Sequence, residues 1–200
     1  MKIAVFGATG MAGSVIVTEA LSRGHLVVAL SRHPDTASNG RLSVRALDVS
    51  YPETLDPVLS GVDVAVLTIR LAPGQEQQLA PLTRGFLDAA ARSGTRSLIV
   101  GGSAPLRCPE DPDRLVIDEP KYVPDLWRTI AQASLDQFRT CENHPYSGWV
   151  YLSPPAVLEP GVRTGRYQRG STTLLTNRDG DSQITASDLA VAVVDEVENP

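Results

Sequence analysis

Lysine is almost missing from this chain: Lys2 and Lys121 are the only two among 200 residues. With 18 basic against 23 acidic residues the net charge is −5. No basic field is therefore available to gather nucleic acid, and a nucleic-acid partner is not expected. Cysteine is as scarce. Cys108 and Cys141 stand without a CxxC pair or histidine-rich company. They read as two free thiols in a reducing, cytoplasmic compartment, not as a disulfide or metal site, and no metal is expected. Long apolar runs are absent too. Nothing approaches the roughly 18 uninterrupted apolar residues of a membrane span, so no membrane association is expected. The opening MKIAVFG runs into a glycine turn instead of a cleavage site, unlike a secretory leader.

What is present is an ordinary soluble composition, 42% hydrophobic and 20% charged, in a length that suits one domain. Short apolar runs at Lys2–Phe6, His25–Leu30, Leu42–Leu47, Asp63–Ile69, Ser97–Val100 and Gly148–Leu152 read as strands. Between them, helical spacing marks Met11–Arg23, Pro52–Leu59, Gln75–Arg92 and Val123–Thr140, and a last amphipathic helix covers Ser187–Glu198. Gly24 is placed as a helix stop, and Thr185 or Ser187 as the last helix's N-cap. Strands alternating with helices predict an α/β fold: a single-domain, doubly wound parallel sheet of Rossmann type in three α/β/α layers over residues 1–200. Two Pro- and charge-rich stretches, near 101–124 and 154–180, fall above the carboxyl ends of strands, where ligand contacts gather in such folds. The substrate loops are placed there.

GATGMAG at 7–13 follows the first strand and opens the first helix. Gly7, Gly10 and Gly13 have the spacing that a tight turn, close backbone approach to a pyrophosphate and close helix packing require. The helix start offers unpaired N–H groups and a positive dipole end, and Thr9 adds a hydroxyl. The plain alternative is a glycine turn without a ligand.

NAD-selective sites end their second strand in a carboxylate that bonds the ribose. Here the strand ends Leu30-Ser31-Arg32-His33, with no carboxylate before Asp35. A guanidinium fits a 2′-phosphate bidentately, and Ser31 can donate another bond, so NADP(H) is favoured over NAD(H). Arg32 as a merely solvated side chain is the alternative. Asp48, at the end of the third strand, is placed either to bond an adenine amino group or to cap the turn at Ser50-Tyr51-Pro52.

These residues bring out a resemblance. KIAVFGATGMAGSVIVTEALSRGH, LDVS at 47–50, the Gly101-Gly102-Ser103 turn, LSPPAVLEPGVRTGRYQRG at 152–170 and ITASDLAVAVVDEVENP at 184–200 resemble the atypical short-chain dehydrogenase/reductases. Within them the chain is similar to the NAD(P)H-binding, NmrA-like group that includes NADH-flavin reductases and relatives of biliverdin-IXβ reductase. The resemblance implies that Gly7, Thr9, Gly10, Met11 and Gly13 hold the pyrophosphate and Arg32 the 2′-phosphate. It implies further that Asp48 and Val49 flank the adenine, that Thr68, Ile69 and Arg70 line the nicotinamide ribose, and that Gly101, Gly102 and Ser103 lie beside the nicotinamide. Members of the group usually continue into one more short strand beyond the position of Pro200.

The superfamily's usual Tyr-x-x-x-Lys acid/base pair is missing, since Val150 follows Tyr146 at that spacing and Pro155 follows Tyr151. Carbonyl/alcohol interconversion by that pair is disfavoured. Flavin or quinone reduction asks only that two rings be held in register while the acceptor takes its proton from water or a hydroxyl. Ser103 is the candidate catalytic contact, with a turn hydroxyl as its alternative. Ala156 stands where biliverdin-IXβ reductases carry a substrate-pocket His, which counts against a tetrapyrrole. Tyr122, Trp127, Tyr151 and Tyr167 are either stacking surfaces for a flat acceptor or packing residues. His144 reads as a loop residue before a base. The expectation is an NADPH-dependent reductase of a small conjugated acceptor such as a flavin or quinone, working as a monomer or homodimer. An NADP(H)-binding redox sensor without turnover, or a pathway-specific biosynthetic enzyme, stays open.

Overall fold

The structure, a computed structural model, describes residues 1–34 and 38–200. Asp35, which bears on the dinucleotide question, lies outside the described residues. Six strands form one parallel sheet: β1 (Lys2–Phe6), β2 (Leu26–Ser31), β3 (Leu42–Ala46), β4 (Val64–Leu67), β5 (Arg96–Val100) and β6 (Trp149–Leu152). Their order is β3-β2-β1-β4-β5-β6. The chain first winds outward from β1 to β3 and then returns to the other side of β1 with β4. That reversal leaves a crevice between the carboxyl ends of β1 and β4, the place where open α/β sheets bind ligands.

Period-2 alternation decides which helices cover which face. Ile3, Val5, Val27, Val64, Val66, Leu98 and Val100 face α1 (Met11–Ser22) and α5 (Ala186–Glu198). Ala4, Phe6, Val28, Leu30, Ala65, Leu67 and Ile99 face the other layer. There they meet the short α2 (Asp56–Leu59), α3 (Leu79–Ser93) and α4 (Arg128–Glu142). Phe6 and Phe86 meet edge to face in this layer, with centroids 5.3 Å apart. Because both faces are covered, the central strands are apolar throughout, as parallel sheets require.

Local chemistry explains where the elements depart from the sequence reading. The fourth long helix begins at Arg128, not Val123, after a 3-10 turn at Asp125–Trp127. Pro124 is extended, with φ −56° and ψ 152°, and a residue before proline is itself kept out of the α region. The helix expected at Pro52–Leu59 is divided into a 3-10 turn, Pro52–Thr54, and α2. Thr185 caps α5 by accepting the Asp188 N–H at 3.1 Å. A small parallel pair, β7 (Val157–Glu159) with β8 (Gln183–Thr185), was not expected. Among the described residues no helix is long and apolar enough to cross a membrane.

Candidate functional site

At the crevice the two strand ends nearly touch. Gly7 has φ +87°, and a Cβ on it would lie 2.1 Å from the Thr68 carbonyl oxygen. A Cβ on Gly13 would lie 2.1 Å from the Gly7 oxygen, so α1 sits directly against the turn. Gly10 is less confined, with 3.2 Å to that same oxygen. No L side chain is tolerated at 7 or 13, and the turn that results is open: Thr9, Gly10 and Met11 are exposed. Gly10 is the N-cap of α1 and brings no capping side chain, and the helix's first turn holds no carboxylate. The N–H groups of Met11, Ala12 and Gly13 precede the i→i−4 ladder and meet the positive end of the dipole. A cradle that a Cβ would fill, at an uncapped and uncharged helix end, fits a dinucleotide pyrophosphate.

Ser31 ends β2 and is buried, whereas Arg32 and His33 beyond it are exposed. Asp48 Oδ1 accepts the Ser50 N–H at 3.0 Å and the Ser50 hydroxyl at 2.7 Å. These two bonds, outweighing the opposing burial and helped by the nearby Arg32 charge, hold its carboxyl below the usual range. Asp48 thus organises the turn after β3 and sits within electrostatic reach of Arg32. Val49 is buried in the α2/α3 layer.

At the next position along the rim, Thr68 donates its N–H to the Phe6 carbonyl at 3.0 Å. Arg70 is exposed, and its guanidinium carbon stands 5.4 Å from the centroid of the Trp127 ring. Beyond β5, a Cβ on Gly101 would collide with the Tyr151 hydroxyl at 1.9 Å, and one on Gly102 would lie 2.7 Å from Ser134 Oγ. The glycine pair is therefore the floor on which α4 and β6 close. Ser103 is half-buried, and its carbonyl accepts the Leu106 N–H at 2.9 Å. Ser134, which sequence reasoning missed, buries its hydroxyl against this floor without a partner among the described residues. Mid-helix serines carry no local signal for such a contact.

Three of the four aromatics named from sequence are tied to the scaffold. Tyr151 donates to the Ser134 carbonyl at 2.9 Å, and burial pushes its phenol well above the ordinary range. Tyr167 donates to Asp195 at 2.6 Å. Tyr122 lies between Lys121 and Glu110, at 3.3 and 3.1 Å. Only Trp127, of these four, is exposed, at 47%. His144 is buried; its Nε2 meets Asp88 at 3.1 Å and its Nδ1 accepts the Tyr146 N–H at 3.1 Å, so the ring closes a loop.

The loops after β5 and β6 meet each other. Arg107 donates its N–H to the Thr172 carbonyl at 2.8 Å and accepts from Leu174 N–H at 2.9 Å. Cys108, Val116, Tyr122, Val123 and Leu174 form a small core beneath them. Residues 161–169 make a strap bound to the α1/α5 layer. Asp188 accepts the Thr164 N–H (2.8 Å), the Thr164 hydroxyl (2.7 Å) and the Gly165 N–H (2.8 Å). Arg163 grips the buried Glu19 through two bonds of 2.8 and 2.9 Å. A groove of about 660 Å³ begins at Pro105, Leu106 and Ser153–Pro155 and runs along the outer edge of β6, roofed by residues 166–177. Both cysteines are free and buried, and burial raises the Cys141 thiol to about 12. Among the described residues no group of His, Cys, Asp and Glu could hold a metal ion.

Known proteins share this layout. The Bacillus subtilis protein YwnB, itself uncharacterized, is 33% identical over 202 residues, which cover 100% of this chain and 93% of that one. A solved structure from Streptococcus pneumoniae, described as "a putative NADH-flavin reductase", is 30% identical with a TM-score of 0.89. That alignment covers 99% of this chain and 93% of the other. A "putative exported protein" from Burkholderia pseudomallei is 33% identical with a TM-score of 0.87, over 100% and 94% of the two chains. Residues 7–200 match the family described as NAD(P)H-binding, and the chain belongs to it.

Proposed function

We propose that the protein is an NADPH-dependent reductase that passes a hydride to a flavin, quinone or similar conjugated small molecule. The observation that carries this reading is the open glycine cradle at α1, with Arg32 exposed one residue beyond the end of β2. The cradle accepts a pyrophosphate, and a guanidinium at that corner favours a 2′-phosphate over a bare ribose. The name of the Streptococcus relative supports a flavin-type acceptor. When bound, the cofactor supplies a hydride, two electrons with one proton, and the reduced acceptor takes its second proton from water.

The chain's own residues bind and orient. Gly7, Gly13 and the first N–H groups of α1 hold the pyrophosphate, and Arg32 holds the 2′-phosphate. Thr68 and Ile69 border the crevice. The Gly101-Gly102 floor keeps side chains away from the reacting ring, and the Ser103 hydroxyl offers it one polar contact. The two buried free thiols support a reducing, cytoplasmic location.

Titration with NADPH and NADH, followed by NADPH oxidation with flavin mononucleotide and a simple quinone, tests this. Tight NADPH binding with acceptor-dependent turnover is expected. Tight binding without turnover on any acceptor would sink the reductase and favour an NADP(H) sensor. Absence of dinucleotide binding would sink both.

A further inference from the structure

We propose that Trp127 and Arg70 form a docking platform for the acceptor, and that the acceptor is a flat conjugated molecule with an anionic tail. The proposal rests on the reductase reading and names the acceptor's recognition chemistry. In the 3-10 turn that leads into α4, Leu126 is 84% and Trp127 47% exposed, next to each other in the chain. Arg70 reaches across from the end of β4 to stand over the Trp127 ring, 5.4 Å from its centroid. Among the described residues Arg70 forms no ion pair with a carboxylate.

Position ties the pair to the nicotinamide corner. Ser134 lies seven residues after Trp127, two helical turns along and on the same face, and it touches Gly102. Trp127 therefore stands roughly 10 Å further out above the Gly101-Gly102 floor. Arg70 follows Thr68, whose carbonyl packs against Gly7. Arg70 thus comes from the end of a strand that bounds the crevice, and Trp127 from the turn that leads into α4. The exposed part of the indole, 47% of the residue, suits a flat π-system. A guanidinium without a carboxylate selects an anion, and a phosphate suits its fork best. Flavin mononucleotide has both features, whereas riboflavin has the ring alone.

Flavin fluorescence, followed without any dinucleotide, reads the platform directly. The protein should bind flavin mononucleotide at least tenfold more tightly than riboflavin. Trp127→Ala should weaken both flavins alike, by about tenfold. Arg70→Gln should bring flavin mononucleotide to the riboflavin level. Both side chains are exposed, and circular dichroism of each variant checks the fold. Equal binding of the two flavins by the unaltered protein would overturn the proposal, as would a phosphate preference that survives Arg70→Gln. The reductase reading fails separately: the expected flavin selectivity with no NADPH oxidation on any acceptor retires it and leaves the platform standing.

Discussion

A methyl group at residue 13 has nowhere to go, because it would sit 2.1 Å from a backbone oxygen that cannot swing aside. Gly13→Ala should therefore push α1 off the turn, costing about 1–3 kcal/mol of stability. Titration should show NADPH and NADH weakened together, since the pyrophosphate is common to both. Gly10→Ala, whose methyl meets the same oxygen at 3.2 Å, should lose less. Arg32 makes the opposite kind of prediction. Arg32→Ala should weaken NADPH by roughly 10- to 100-fold, the worth of a charged hydrogen bond, while NADH changes little. Equal weakening of both cofactors, or of neither, would remove Arg32 from the 2′-phosphate site. The glycine positions are legible in the sequence, because a tight turn between strand and helix demands them. The Arg70–Trp127 stack is not: it joins residues 57 positions apart, and neither carries a local sign of the other.

Among the elements, the strap at 161–169 has the clearest energetic signature. The bonds from Arg163, against some opposition from burial, hold the Glu19 carboxyl below its usual value. For Asp188 burial again opposes, and the bonds from Thr164 and Gly165 outweigh it. Both carboxylates bind a proton less readily when folded than when unfolded. Their contribution is therefore complete above the ordinary carboxylate range and is lost as pH falls through the lowered values. Urea midpoints should drop below about pH 4.5, and more steeply for the native protein than for a Glu19→Gln, Asp188→Asn double variant. At neutral pH, Glu19→Gln should cost about 1.5–3 kcal/mol and open the strap to tryptic cutting after Arg163. An unchanged cutting rate would show that Asp188 alone holds it. Sequence reading found the helix carrying Asp188 and offered Thr185 beside Ser187 as its cap, but not this latch. Asp188 and Thr164 are 24 residues apart, and nothing local singles out one carboxylate among 23 acidic residues. The three-residue strands β7 and β8 escaped for a similar reason, since so short a stretch shows no period.

At the scale of the whole molecule, the two covered faces make the sheet one cooperative unit that a ligand at the crevice should stiffen as a body. NADPH at about one hundred times its dissociation constant adds roughly 2.7 kcal/mol to the folded state. For a chain of this size that raises the melting temperature by about 5–10 °C, which calorimetry would read directly. A clearly smaller rise with NADH than with NADPH at equal concentration is expected if Arg32 reads the 2′-phosphate. The layer order is visible in the alternation of strands and helices. The course of the long groove is not, because it depends on which strand ends the sheet. That strand is β6, Trp149-Val150-Tyr151-Leu152, apolar and aromatic, with no strand paired to its outer side among the described residues. Residues 166–177 roof the groove beside it. Heating that lifts this roof uncovers a row of main-chain donors and acceptors able to join the same strand of another molecule. Thermal unfolding should consequently end in precipitate, with an apparent midpoint that falls as protein concentration rises and as the scan slows.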